Sequence, residues 1–276
     1  MKRKSLVLLL LVFIGVVFVF SGCSNSTSQT EEDPLADGVL TAGTNDMYLP
    51  LEFRDENNVL VGFDIDLGQA IADELGVKIE WVPTAWDGIF NGLNAKQYDV
   101  VLSGTSITPD RIEGFNMSDP YIANGIIIVS RKDATPALTP KDLAGKTVGV
   151  QIETTADYAA EALKTQENVD YTVNKYDGML DAFAALEGKQ IDNILTDISV
   201  AQFYTSLKPD VYAVTSDVLS NEPIGITMRK SDTAFAEKIN GVLDTLRENG
   251  KLTELSMKWF GEDVTQNIDT NLKIIE

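Results

Sequence analysis

Residues 99–121 carry side chains that could bind a small anion. An apolar run predicts a strand that ends at Ser103-Gly104-Thr105-Ser106, and Arg111 follows five residues later. Hydroxyl and backbone N–H groups at a strand end can donate to a carboxylate, and a guanidinium can hold both of its oxygens. The same residues are also typical of a plain turn followed by a solvated surface arginine, and the local sequence by itself favours that alternative.

The first 22 residues have the pattern of a secretory signal peptide. Three basic residues precede an uncharged apolar run from Leu6 to Phe20, and Ser21-Gly22 stand directly before Cys23, the chain's single cysteine. The run is short for a membrane-spanning helix, and small residues at its end are typical of a cleavage site. The pattern resembles a bacterial lipoprotein signal, in which Cys23 would carry the lipid. Residues 23–37 continue as a polar, non-periodic segment, which predicts a flexible tether.

The composition excludes several classes of function. Acidic residues number 42 against 22 basic ones, and the formal net charge is −20. Nucleic acids and anionic lipids bind basic patches, so we expect neither as a partner. The chain has no histidine and, once Cys23 is lipidated, no thiol. We therefore expect no disulfide, no metal site and no cofactor.

Two successive series of strands and helices follow the tether, and they exceed one typical domain of about 100–150 residues. The first series predicts strands at 39–43, 77–82 and 100–102, a helix from an Asp64 cap to a Gly76 stop, and a helix at 86–93. Alternating strands and helices are typical of a largely parallel α/β sheet, which binds ligands beyond the carboxyl ends of its strands. Asn45, Tyr48 and Trp86 would gather there with the loop from Ser103 to Arg111.

The second series begins after Tyr121 and has the same organisation. It predicts strands at 126–129, 147–150, 193–196 and 224–228, a helix that carries Tyr158 to Leu163, and helices at 180–186, 235–246 and 251–260. Residues 171–176 lead to the helix at 180–186. Thr154 or Thr155 can cap the first of these helices, and Asp197 stands at the carboxyl end of a strand. Asp197 could serve as an N-cap, as a ligand-binding carboxylate, or as both.

Seven short motifs in register, from about Val39 to Gly261, resemble family 3 of the bacterial extracellular solute-binding proteins, the polar amino-acid type. They are Pro50-Leu51-Glu52-Phe53, Val61-Gly62-Phe63-Asp64-Ile65-Asp66-Leu67, Trp86-Asp87-Gly88, Tyr98-Asp99-Val100, Ser103-Gly104 with Ile107-Thr108 and Arg111, Ser118-Asp119-Pro120-Tyr121, and Lys258-Trp259-Phe260-Gly261. The resemblance implies a two-lobed, type II periplasmic-binding-protein-like α/β fold with two largely parallel sheets and two hinge strands. It implies lobe 1 at residues 38–121 and 226–276, lobe 2 at 122–225, and hinge crossings near 121–125 and 221–225.

The resemblance also implies roles for individual residues. Arg111, Ser106 and Thr155 would hold the α-carboxylate of a free amino acid. Asp197 and Ser106, with the backbone of Ser103 or Gly104, would hold its α-ammonium group, and Tyr48 and Trp86 would enclose its side chain.

Asn45, Gln151 and Thr154 complete the implied ligand-binding set. Asn45 stands where many members carry aspartate, and Gln151 is also uncharged, so we expect a neutral polar amino acid such as glutamine or cystine. Glu153 stands where glycine is common, and it would either crowd the carboxylate site or point to solvent.

The implied function is that of a receptor for an ABC importer and not that of an enzyme. We expect a monomer that is lipid-anchored through Cys23 on the outer face of the cytoplasmic membrane, on a Gram-positive cell surface, where it delivers an amino acid to permease subunits. Two alternatives stay open: a cyclohexadienyl dehydratase-like enzyme on the same fold, and a ligand-sensing receptor domain that acts through a partner. The enzyme would have to use a lone carboxylate such as Asp197 or Glu153.

Overall fold

The computed structural model describes residues 33–276. The predicted signal peptide, Cys23 and most of the tether lie outside the described residues. Within the described part of the chain, every helix is too short or too polar to cross a bilayer.

The predicted strands and helices are confirmed at nearly all positions. The strands are β1 Val39–Thr44, β2 Met47–Tyr48, β3 Glu52–Arg54, β4 Leu60–Val61, β5 Lys78–Pro83, β6 Val100–Val101, β7 Phe115–Met117, β8 Ile126–Arg131, β9 Thr147–Gln151, β10 Thr172–Tyr176, β11 Asn193–Asp197, β12 Tyr212–Val214 and β13 Thr227–Arg229. The α-helices are α1 Phe63–Leu75, α2 Ile89–Asn94, α3 Pro109–Gly114, α4 Thr155–Gln166, α5 Met179–Glu187, α6 Ile198–Leu207, α7 Thr233–Glu248 and α8 Lys251–Trp259. Single 3-10 turns cover Trp86–Gly88 and Pro140–Leu143.

Two five-stranded sheets organise the fold, and each is mixed. The first has the order β5-β1-β6-β13-β7 and the second the order β10-β9-β11-β8-β12. In the first sheet, β1 pairs in parallel with β5 and β6, whereas β13 runs antiparallel to β6 and β7. The second sheet repeats this arrangement, with β8 in the position of β13. The antiparallel strand in each sheet is the one that follows a crossing from the other sheet. We call the part built on the first sheet lobe 1 and the part built on the second lobe 2.

Three backbone segments run side by side between the lobes. Ile122 and Ile224 pair on the two predicted crossings, with Ile224 N–H donating to Ile122 C=O at 3.0 Å. The segment that follows α8 is the third, and it is hydrogen-bonded to both crossings. Ala123 N–H donates to Val264 C=O, and Asn221 and Lys273 exchange two backbone hydrogen bonds, all at 2.9 Å. The C-terminal end therefore contacts lobe 2, and Ile275 packs in that lobe's hydrophobic core. The predicted lobe limits stay a prediction.

Local chemistry explains where the helices next to the site begin. The predicted Asp64 cap of α1 is wrong, because the N-cap is Gly62, two residues earlier, at φ 144°. A Cβ at Gly62 would lie 2.1 Å from the Leu51 carbonyl oxygen, so only glycine fits. Asp64 is instead fully buried in the first turn of α1. The predicted cap of α4 is confirmed at Thr154, whose Oγ1 accepts the Asp157 N–H at 3.3 Å.

Candidate functional site

A cavity lies between the two lobes, with about 280 Å³ of empty space. All the residues predicted from sequence line it, namely Asn45, Tyr48, Trp86, Ser103, Gly104, Ser106, Arg111, Gln151, Thr154, Thr155 and Asp197. They come together because the loops after β1, β6, β9 and β11 leave the sheets at the edges that face the cleft.

Arg111 supplies the positive charge of the cavity. The Thr108 hydroxyl caps α3 by accepting the Arg111 N–H at 3.3 Å, which fixes the residue on the first turn of that helix. The guanidinium donates from Nη1 to the Ser106 carbonyl at 2.7 Å and lies 5.5 Å from the ring centre of Trp86 and 5.2 Å from that of Phe90. It forms no ion pair with the acidic residues of the described chain, so the remaining N–H donors of this half-buried cation are not held by a carboxylate.

Asp197 supplies a negative charge from the opposite lobe. It ends β11, is only 4% exposed, and accepts a hydrogen bond from the Tyr48 hydroxyl at 2.6 Å. Burial raises the pKa of Asp197, while the Tyr48 hydroxyl and the Arg111 charge oppose that rise. Asp197 stands at the N-cap position of α6, but its side chain makes no capping hydrogen bond. Its carboxylate is directed to Tyr48 across the cleft.

Two hydrogen bonds join the lobes around the cavity. One is the Tyr48–Asp197 bond, and in the other Trp86 Nε1 donates to the Glu153 carbonyl at 3.1 Å. Glu153 has φ 57°, which is the conformation that makes glycine common at such a position. Its side chain is exposed and does not line the cavity, so the solvent-directed alternative is the one observed.

Neutral amides line another part of the cavity. Asn45 Nδ2 donates to the Thr84 carbonyl at 3.4 Å, and its buried Oδ1 has no partner within residues 33–276. Gln151 Nε2 donates to the Asp177 carbonyl at 3.0 Å. The Thr154 hydroxyl is already used, because it donates to the Gln151 carbonyl at 2.8 Å while capping α4. Asn45 Oδ1 is therefore an acceptor that a polar ligand group could satisfy.

Sequence reasoning did not identify Glu222 as a neighbour of the site. This fully buried carboxyl on the second crossing accepts from Ser220 Oγ at 2.6 Å, and its Oε2 has no partner among the described residues. Burial and the nearby Asp197 raise its pKa, whereas Ser220, Thr155 and Arg111 lower it. The sequence offered one signal, a carboxylate inside a predicted crossing, but the neighbours of Glu222 come from segments distant in the chain.

The Ser103–Gly104 loop is held from behind by two buried carboxyl groups. Ser103 Oγ donates to Glu52 Oε1 at 2.7 Å and accepts the Asn45 N–H at 2.9 Å. Gly104 N–H donates to Asp64 Oδ2 at 2.8 Å. At φ 53°, Gly104 also lies against Tyr48, since an added Cβ would be 3.2 Å from the ring. Within residues 33–276, no group of acidic side chains has an arrangement that could hold a metal ion.

Comparisons with known proteins agree with a binding protein of the two-lobed, type II periplasmic class. The L-cystine-binding protein TcyJ of Escherichia coli (strain K12) is 32% identical over 230 residues, which cover 83% of this chain and 85% of TcyJ. The arginine-binding extracellular protein ArtP of Bacillus subtilis (strain 168) is 30% identical over 254 residues, 92% of this chain and 97% of ArtP. A solved structure of an ancestral arginine-binding protein bound to glutamine is 37% identical, with a TM-score of 0.76 over 82% of this chain and 99% of that one.

The match to a sequence family is more specific. The family described as bacterial extracellular solute-binding proteins, family 3, matches residues 40–262, and the chain belongs to this family. The curated relatives above are named as amino-acid-binding proteins and not as enzymes.

Proposed function

We propose that this protein is the receptor of an ABC importer, which captures a free amino acid with a neutral polar side chain and delivers it to a membrane permease. The observation that carries the proposal is the pair formed by Arg111 and Asp197, a cation and an anion from opposite lobes that line one small cavity. A free amino acid is a zwitterion and needs one fixed charge of each sign.

These two charges assign binding residues to the α-carboxylate and the α-ammonium group of the ligand. Arg111, with Ser106 and Thr155, holds the α-carboxylate, because the guanidinium has donors that no carboxylate of the described chain occupies. Asp197 and Ser106, with the carbonyl groups of Ser103 and Gly104, hold the α-ammonium group. In this assignment the ammonium group shares Asp197 with the Tyr48 hydroxyl, which already bonds to one of the carboxylate oxygens.

The side chain of the ligand is assigned to the space between the rings of Tyr48 and Trp86. Asn45 and Gln151 are the polar groups that would meet it, and both are uncharged amides. The unpartnered Oδ1 of Asn45 favours a ligand with an N–H donor. Glutamine and cystine are therefore the preferred ligands, and a glutamine complex and a cystine-binding protein occur among the structures and proteins similar to this chain.

A cationic amino acid such as arginine is the second candidate, and one observation favours it. Glu222 adds a second buried carboxyl next to Asp197 and Arg111. If Glu222 is ionised, the cavity and its surroundings carry more negative than positive charge, which a cationic side chain would balance. The relatives include an arginine-binding protein.

Closure of the two lobes is the proposed mechanism of capture. The ligand touches Arg111 in one lobe and Asp197 in the other, so it binds best when the lobes are together and shifts the population toward that form. The proposal also includes export of the protein as a monomeric lipoprotein, anchored through Cys23 on the outer face of the cytoplasmic membrane. The acidic composition suits a Gram-positive cell surface.

The test is a thermal-shift screen of residues 24–276 against the common amino acids, cystine and a cyclohexadienyl acid, followed by titration calorimetry on each hit. A ligand that binds only the folded state raises the melting temperature as its concentration rises. We expect glutamine or cystine to raise it and Arg111→Ala to abolish the effect. If no amino acid raises the melting temperature, the proposal is wrong.

A further inference from the structure

Behind the Ser103–Gly104 loop lie two carboxyl groups with no exposed surface. Glu52 and Asp64 are both 0% exposed, and they hold adjacent residues of the loop, because Ser103 Oγ donates to Glu52 and Gly104 N–H donates to Asp64. Two ionised carboxylates so near each other at a buried position would repel each other strongly, and neither could be solvated. No arginine or lysine of the described residues forms an ion pair with either one.

The surrounding donors distinguish the two groups. Asp64 accepts the Gly104 N–H at 2.8 Å and the Tyr121 hydroxyl at 2.9 Å, so its oxygens are supplied with donors as an ionised carboxylate requires. Glu52 receives only the Ser103 hydroxyl, on Oε1, and no donor within residues 33–276 reaches its Oε2. A proton on Oε2 would make this atom a donor to Asp64 and would remove the unsatisfied position.

We propose that Glu52 and Asp64 share one proton and act as positioning residues that fix the Ser103–Gly104 loop for the ammonium group of the ligand. The positioning role toward the ligand rests on the function proposed above, whereas the shared proton does not depend on it. Glu52 accepts a hydrogen bond from the Ser103 hydroxyl, and Asp64 accepts one from the Gly104 N–H, both on the side of the loop away from the cavity. The loop is therefore left with its carbonyl oxygens as acceptors for a ligand, and carbonyl oxygens are the groups that an ammonium ion requires.

The electrostatics agree with one proton on Glu52. Burial and the adjacent Asp64 raise the pKa of Glu52 well above its usual value. Burial also raises the pKa of Asp64, to about 7, against the Gly104, Tyr121 and Glu52 hydrogen bonds that lower it. The other ionisable groups that face the pair are Tyr48, Tyr121 and Asp197, and burial raises the pKa of each of them as well.

The first experiment measures stability without ligand. In Glu52→Gln the amide can still donate to Asp64 and accept from Ser103, but it cannot lose a proton. Because the pKa of Glu52 is raised in the folded state, its bound proton stabilises the fold. This stabilisation is fully present below the unfolded-state pKa of about 4.3 and is lost as pH rises through the folded-state pKa. The melting temperature of the parent should therefore fall, relative to Glu52→Gln, as pH rises from about 5 to 8. A difference that does not change with pH would overturn the shared proton.

The second experiment measures binding by calorimetry. Glu52→Gln should bind the best amino acid within about three-fold of the parent, whereas Glu52→Met, which has no such hydrogen bonds, should bind at least about ten-fold more weakly. Glu56→Gln is the matched control, because it makes the same change at an exposed position four residues away. Equal binding by Glu52→Met and the parent, or equal loss in Glu52→Gln and Glu52→Met, would overturn the positioning role.

The two experiments separate this inference from the proposed function. If the parent binds no amino acid, the proposed function and the positioning role both fail, and the pH dependence of unfolding still decides whether the proton is shared. If the parent binds and Glu52→Met does not fold, lost affinity in Glu52→Gln still overturns the positioning role.

Discussion

Replacing Arg111 with alanine should abolish tight binding while leaving the fold intact. Among the described residues the guanidinium donates one hydrogen bond, to the Ser106 carbonyl, and it lies over the rings of Trp86 and Phe90. These contacts stabilise the fold by about 1.5–3 kcal/mol for the charged hydrogen bond and about 0.5–1 kcal/mol for each stacking contact. The cost of burying a cation, which lowers the pKa of Arg111, offsets part of that gain. We therefore expect a small loss of stability.

The effect on binding should be much larger. Without Arg111, the ligand carboxylate would lie in the cavity with no opposite charge, which costs about 3–5 kcal/mol and lowers affinity by roughly two to four decades. Arg111→Lys keeps the charge but loses the planar fork, so we expect an intermediate loss of about ten-fold.

Calorimetry with the best ligand, on the parent and three variants, measures these effects. Arg54→Ala is the matched control, because it removes one positive charge from lobe 1 at an exposed residue that pairs with Asp46 at 2.5 Å. It should bind like the parent. If Arg111→Ala also binds like the parent, the carboxylate assignment is refuted; if Arg54→Ala loses as much affinity as Arg111→Ala, net charge rather than the cavity is responsible.

Three further predictions concern the rest of the cavity. Burial raises the pKa of Asp197, and the ligand ammonium group needs the ionised carboxylate, so affinity should fall as pH is lowered through that raised pKa. Calorimetry at several pH values should show this decline in the parent, whereas the affinity of Asp197→Asn should not change with pH. Asn45→Asp should raise the affinity for arginine relative to glutamine by about 1.5–3 kcal/mol, as competition binding would show, and an unchanged ratio would mean that Asn45 does not meet the side chain. Gly104→Ala should lower the free energy of unfolding by about 1–2 kcal/mol, measured by chemical denaturation, because φ is 53° and the new Cβ would lie 3.0 Å from Leu51.

The sequence predicted those parts of the fold and site that depend on order along the chain. Asp197 and Gln151 each end an apolar strand, so their position at the cleft follows from the topology of an α/β sheet. Thr154 precedes an amphipathic helix, so its capping role follows from helix chemistry alone.

The parts that were missed depend on contacts between distant segments. Asp64 has the residue type of a helix cap, but a close approach to the Leu51 carbonyl requires glycine at Gly62 and moves the start of α1. Glu52 looks like an ordinary acidic residue, and Glu222 is marked only by its place in a predicted crossing, so the sequence does not predict that both are fully buried. The antiparallel strand in each sheet likewise follows from where the chain crosses between the lobes, which no local pattern records.

The C-terminal segment has a mechanical consequence. Two adjacent backbone crossings alone would let one lobe both bend and twist against the other. Here the segment bonds to one crossing at Ala123 and to the other at Asn221, so the three form a short ribbon. A hydrogen-bonded ribbon bends across its thin direction more readily than it shears, so we expect the lobes to rotate about a single axis. Removing the residues after Val264 should widen the range of relative lobe orientations, which small-angle scattering would detect.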